Sequence, residues 1–215
     1  SLIVSGNMVH RDSLGNEDAI SDGEVQWMTA GSGIMHEEKL PASERLLGVQ
    51  LWLNMPRENK MAPPEYHSIK KEDIEEIPLD GGLLRLISGK YKDHEGFRGK
   101  YLPVDYYDIK LEPGKSFTIE TDKEKSVLVF TLSGAARIAG ETVEEKTAVK
   151  LTEGDSLVIE SLEKEAEMRF VSSDMVKEPV SWGGPIVMNT EQELRQAFAE
   201  LRTGEFLKEK VEYDV

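Results

Sequence analysis

The sequence predicts an all-β protein built as two tandem barrels and closed by a single helix. Three observations carry this reading. Short runs rich in Val, Ile, Leu, Phe and Tyr recur about every ten residues and are split by Gly and Asp turns, the pattern of barrels and sandwiches. The chain repeats itself weakly: Leu128-Val-Phe-Thr-Leu-Ser-Gly134-Ala-Ala-Arg-Ile parallels Leu2-Ile-Val-Ser-Gly6-Asn-Met-Val-His. In each copy a turn, a second glycine and a strand follow, with Gly134 answered by Gly154 and Gly6 by Gly23. Helical periodicity is marked only near the end of the chain.

Leu2 begins a strand expected to continue through Met8-Val9-His10. Asp12-Ser-Leu-Gly-Asn16 and Ser21-Asp-Gly23 are turns, because Asp, Asn and Ser bond their own backbone and Gly accepts φ > 0. Val25 to Thr29 is a strand. Leu46 to Asn54 alternates Leu47, Val49, Leu51 and Leu53 with Gly48, Gln50, Trp52 and Asn54, so one strand is expected, with Gln50, Trp52 and Asn54 lining a pocket. Met61 to Pro64 carries adjacent prolines and is irregular. Lys70 to Glu76 reads as a charged linker or helical turn, Leu83 to Ile87 as a strand, Tyr91 to Gly99 as a polar loop. Further strands are expected at 106–111, 117–119, 127–132, 148–151, 156–159 and 168–171. At the end, Thr190 and Glu193 form a capping box, and Leu194, Ala197, Phe198 and Leu201 make one apolar stripe up to Gly204. That helix should lie on a barrel face. The expected domains are 1–100 and 101–215.

Composition excludes several classes. The net charge of −15 repels phosphate backbones, so no direct nucleic-acid partner is expected. No apolar run is long enough to span a bilayer, so no membrane partner is expected either. There is no cysteine, which removes disulfide and thiolate chemistry and suits a reducing, cytoplasmic setting. A monomer is the expected state. No Ser-His-Asp arrangement, phosphate loop or Cys/His zinc pattern is present.

The chemistry concentrates in Gly23-Glu-Val-Gln-Trp-Met-Thr-Ala-Gly-Ser-Gly-Ile-Met-His-Glu-Glu38. His36 and Glu38 stand two apart, so on a strand they share a face while Glu37 points away. An imidazole and a carboxylate aimed at one spot are half of a nitrogen/oxygen metal site suited to iron, manganese, nickel or zinc. By itself such a pair is more often a solvated face. Glu37 would become a ligand only if the strand slipped register. His10 is read first as a hydrogen-bonding residue that pins its hairpin, His67 and His94 as solvated loop residues, and Trp27 and Met28 as core. In the second copy, Arg169 stands where a second ligand would be needed beside Glu167, and an arginine cannot serve.

The stretch GEVQWMTAGSGIMHEE (Gly23 to Glu38) resembles the signature of the pirin family, which are two-domain cupins. His10 to Asn16 (HRDSLGN), Leu47 to Pro56 (LGVQLWLNMP), Lys60 to Tyr66 (KMAPPEY) and Gly184 to Phe198 (GPIVMNTEQELRQAF) resemble it too, in family order. The resemblance implies two jelly-roll cupin barrels and one metal, Fe(II) first, held by two histidines of a His-Pro-His-Arg-Gly run and by a His-x-Glu pair. His36 and Glu38 match the pair; the run is not in this sequence, and an upstream segment carrying it is expected, since Gly6 has only five residues before it. Two functions follow from the resemblance. One is a quercetin (flavonol) 2,3-dioxygenase, with Glu38 near the metal as general base toward the 3-hydroxyl of a flavonol and carbon monoxide released on ring cleavage. The other is a non-enzymatic, iron-dependent regulator acting through a protein partner.

Overall fold

A computed structural model describes residues 1–209, which fall into two compact units: 1–71 with 176–209, and 72–175. The first unit opens with seven strands: β1 (Leu2–Ser5), β2 (Met8–Asp12), β3 (Glu17–Ile20), β4 (Val25–Thr29), β5 (His36–Lys39), β6 (Leu47–Val49) and β7 (Glu65–Ile69). They form a four-stranded sheet in the order β6-β1-β4-β7 and a three-stranded sheet in the order β3-β2-β5. Leu2, Ile3, Met8, Ile20, Val25 and Ile69 are buried, and Ile3, Met8 and Ile20 pack together in one cluster. The run expected to continue from Leu2 to His10 is broken at Gly6, whose φ of 104° turns the chain between β1 and β2.

The strand expected over 46–54 is shorter than its alternation suggests. β6 pairs only with β1, and Val49 faces Leu2, the first residue of β1, so the ladder ends there. Beyond it Trp52 is 57% exposed and donates to Gln50 Oε1, while Asn54 Oδ1 accepts from Lys60 Nζ. Periodicity without a neighbouring backbone to bond does not make a strand.

The second unit contains β8 (Glu75–Leu79), β9 (Gly82–Ser88), β10 (Lys90–Tyr91), β11 (His94–Glu95), β12 (Val104–Leu111), β13 (Ser116–Glu120), β14 (Lys125–Ser133), β15 (Ala136–Ile138), β16 (Glu141–Val143), β17 (Thr147–Lys150), β18 (Ser156–Ser161) and β19 (Ala166–Asp174). A six-stranded sheet, β17-β14-β19-β12-β9-β8, faces a four-stranded one, β13-β18-β15-β16. Leu84, Leu86, Ile109, Val129, Met168 and Phe170 from the first meet Ile119, Ile138, Leu157 and Ile159 from the second in one core. The boundary expected at residue 100 lies within this unit, because β9 pairs along β12. The polar loop expected over 91–99 contains the β10–β11 hairpin. On the sheet face away from that core, Arg169 bonds Asp108 and Glu167, and Arg85 bonds Asp108.

The last part of the first unit is a hairpin, β20 (Ser181–Gly183) with β21 (Ile186–Met188), followed by helix α1 (Glu191–Thr203). The capping box is present: Thr190 accepts from the Glu193 amide and the Glu193 carboxylate accepts from the Thr190 amide. Gly204 ends the helix at φ 80°. Leu194 and Ala197 are buried against Ile186, with Met188 and Phe198 packed beside them. Leu201 is exposed, so the predicted stripe is one residue too long. Among the described residues, no helix is long and apolar enough to cross a membrane.

Candidate metal centre

The centre is built on two antiparallel strands in strict register. β2 pairs with β5 so that His10 faces Glu38 and Asp12 faces His36. Alternation then puts all four side chains on one face. The intervening residues point outward: Arg11 pairs with Glu17, and Glu37 pairs with Lys39 at 3.0 Å, half exposed. The glycines before β5 allow the approach. Gly31, at φ 51°, lies so close to Ala62 that a Cβ would sit 2.0 Å from its carbonyl oxygen, and the Ser32 amide donates to that same oxygen.

His10 is 1% exposed and Asp12 is fully buried. Asp12 Oδ2 bonds His10 Nε2 at 2.9 Å, and Oδ1 accepts from the Leu14 and Asn16 amides. Burial works against ionisation of Asp12, but the bonds from His10, Asn16 and Leu14 outweigh it and hold the carboxyl below its ordinary range. An ionised carboxylate only accepts, so His10 Nε2 carries the hydrogen and Nδ1 keeps a lone pair. Gln26 Nε2 lies 3.1 Å from that Nδ1. Tyr66 stacks on the His10 ring, centroids 4.3 Å apart at 11°. Burial, then the neighbouring Asp18, pushes the Tyr66 phenol well above its usual range, so it stays a neutral hydroxyl. His36 has its pKa lowered, chiefly by burial and against the pull of Glu38, which favours the neutral imidazole a metal requires.

One ligand atom from each of His10, His36 and Glu38 lies within 4.8 Å of the other two. His36 Nδ1 and Glu38 Oε1 are 3.9 Å apart, too far for a hydrogen bond and close to the spacing of two ligands of one ion. Glu38 Oε1 and Gln26 Oε1 are buried acceptors with no donor among the described residues. Buried acceptors left without donors are costly, and a cation answers them. The donor set fits a borderline transition metal.

His36 and Glu38 therefore come together as their spacing predicts, and Glu37 stays outside. His10 bonds its turn through Asp12, as read from sequence, and also joins the cluster. His67 pairs with Glu65 and His94 with Glu75, both at the surface. Asp12, Gln26 and Tyr66 were not singled out by sequence. The signal for Asp12 was available: His10-x-Asp12 obeys the same two-residue rule as His36-x-Glu38.

Family models describing Pirin and the Pirin C-terminal cupin domain match residues 1–53 and 106–207. Pirin of Homo sapiens is 34% identical, over 94% of this chain and 71% of its own. The chain belongs to the pirin family. The pirin-like protein of Caulobacter vibrioides is 32% identical over 96% of this chain and 76% of its own. Among solved structures, a quercetin 2,3-dioxygenase from Acinetobacter baumannii superposes with a TM-score of 0.85 at 32% identity, covering 95% of this chain and 74% of that one. The residues matched by the Pirin model include β4 and β5, the strands that bring Gln26, His36 and Glu38 to the centre.

Proposed function

We propose that this pirin-family protein is a metal-dependent oxygenase of flavonol-like phenols, with Fe(II) as its metal and His36 and Glu38 among the ligands. The observation that carries the reading is the convergence of His10, His36 and Glu38 with a buried, unanswered Glu38 Oε1. A solved relative named as a quercetin 2,3-dioxygenase supports the substrate class. The bound metal would supply Lewis acidity and a redox-active centre for an oxygen reaction.

The protein's own groups supply the rest. The Glu38 carboxylate is the group at the centre that would accept the proton of an acidic enolic hydroxyl. His10, stacked under Tyr66, forms a dry floor, whereas the His36 side chain is 33% exposed and marks the open side. A flat phenolic ligand enters from there and is oriented against the buried imidazole.

Metal content by mass spectrometry tests the reading, beside His36→Ala. Near-stoichiometric transition metal in the parent, lost in the variant, together with oxygen uptake on adding quercetin, is expected. Metal without quercetin-dependent uptake would leave a metal centre and remove this substrate class. Equal, negligible metal in both proteins would refute the centre.

A further inference from the structure

We infer that the segment after α1 is a clamp on the glycine turn that leads into β5, with Phe206 as its contact point and Glu178 as its anchor. The clamp acts on the backbone of the turn, whatever metal the centre takes. Gly33 sits at φ 132°, and a Cβ added there would lie 3.0 Å from the edge of the Phe206 ring and 3.0 Å from the Phe206 carbonyl oxygen. Phe206 also packs against Ile186, Leu194 and Ala197, the cluster that seats α1. One side chain thus joins the helix to the turn. Its own position is fixed on both sides. Gly204 turns the backbone at φ 80°, the Glu205 amide donates to Glu200 O at 2.9 Å, and Lys208 Nζ donates to Glu200 Oε2 at 2.8 Å.

A second route reaches the same turn through Ala62. The helical turn Arg57–Asn59 is tied to the residues that precede and open α1. The Arg57 amide donates to Glu178 Oε2 at 2.8 Å, Asn189 Nδ2 donates to the same oxygen at 3.2 Å, and the Arg57 guanidinium reaches Glu193 Oε1 at 3.4 Å. The Ala62 amide then donates to Asn59 O at 2.9 Å, and Ala62 O accepts the Ser32 amide at 2.8 Å. Gly31 to Gly33 are therefore held by Phe206 and by Ala62, and both depend on the last part of the unit. Downstream, the Met35 amide donates to Ser13 Oγ at 3.2 Å and the Met35 carbonyl accepts the Ser13 amide at 2.8 Å, and β5 begins at the next residue. Release of the segment after α1 withdraws Phe206 from Gly33 and lets the turn open beside Met35, which is 39% exposed. The turn and the segment open as one unit. Linkage makes the coupling reciprocal: whatever orders the turn secures the segment, and whatever captures the segment loosens the turn.

Single-thiol labelling tests the clamp, because the chain has no cysteine of its own. Ser32 Oγ and Thr121 Oγ1 are buried hydroxyls without a partner among the described residues, one in each unit. Ser32→Cys and Thr121→Cys place a buried thiol in the turn and in the second unit, and the rate of reaction with dithiobis-nitrobenzoate reads local opening. Ser32→Cys should react slowly by itself, and about 5- to 150-fold faster when Phe206→Ala or Glu178→Ala is added. Thr121→Cys should keep its rate in both backgrounds, and the helical circular dichroism should match the parent. A Ser32→Cys rate unchanged by both substitutions would overturn the inference, as would fast reaction of Ser32→Cys alone. Equal acceleration at 32 and 121 would report loss of the whole fold and overturn it too. Acceleration accompanied by loss of the helical signal in both variants would assign the effect to folding of α1, with the same consequence. Glu178→Ala leaves the apolar cluster under α1 untouched, so it carries the test if Phe206→Ala does not fold. No metal or flavonol is added, so failure of the clamp leaves the oxygenase reading standing.

Discussion

Gly31→Ala should destabilise the first unit far more than an ordinary glycine substitution, because two costs add. The residue sits at φ 51°, where an L-residue is strained by about 1–2 kcal/mol. The new Cβ would lie 2.0 Å from Ala62 O, which must retreat. That carbonyl accepts the Ser32 amide at 2.8 Å, and losing this bond in a packed turn costs about 1–2 kcal/mol more. The expected total is about 3 kcal/mol, a fall of about 1.5 M in the urea midpoint at a slope of about 2 kcal/mol/M. Gly204→Ala is the matched control: its φ is 80°, but nothing lies within 4 Å of an added Cβ, so only the backbone strain remains. Tryptophan fluorescence reads both, since Trp27, Trp52 and Trp182 all lie in the first unit and the second has none. Equal losses in the two variants would refute the argument that close approach, rather than conformation, demands glycine at 31. The same variant should lower metal occupancy, because this turn sets the entry of β5.

Other outcomes follow from the same geometry. Glu37→Gln should leave metal stoichiometry unchanged, because Glu37 faces Lys39 on the outer side of β5; metal loss there would mean the strand binds in another register. Asp108→Ala should cost the second unit about 3–5 kcal/mol in urea melts followed by tyrosine circular dichroism, since it strips the buried Arg169 of one of its two carboxylates; a cost below about 1 kcal/mol would show that Glu167 suffices. Thr190→Ala should cost about 1 kcal/mol through loss of the capping box, with Thr190→Ser restoring most of it. Asp18 is held below the ordinary carboxyl range: burial opposes this, but Ser68 and Lys70 prevail. A depressed folded-state value gives stability that is present above the unfolded value of about 3.9 and lost as pH falls through the folded one. Acid titration of tryptophan fluorescence should therefore show a shallower stability loss below about pH 4 in Asp18→Asn, and an unchanged profile would dismiss the Asp18 contribution.

What the sequence determined by itself is what short-range rules control. Turn residues at 12–16 and 21–23, the positive-φ glycines, the strand alternation of β4, β12 and β14, and the Thr190–Glu193 cap all depend on neighbours within a few positions. The facing of His36 and Glu38 belongs here as well, because a period of two needs no partner strand. Tertiary structure decided the rest. Leu47 to Asn54 alternates throughout, yet only three residues pair, because β1 offers backbone partners no further than Leu2. His10 and Glu38 lie opposite each other only because β2 and β5 adopt one of several possible registers, across a segment that includes β3 and β4. Gln26 and Tyr66 both reach the centre from the other sheet of the unit, on the neighbouring strands β4 and β7. A metal centre gathers donors from distant positions, so its composition follows from strand register and packing, while each donor's facing follows from its own strand.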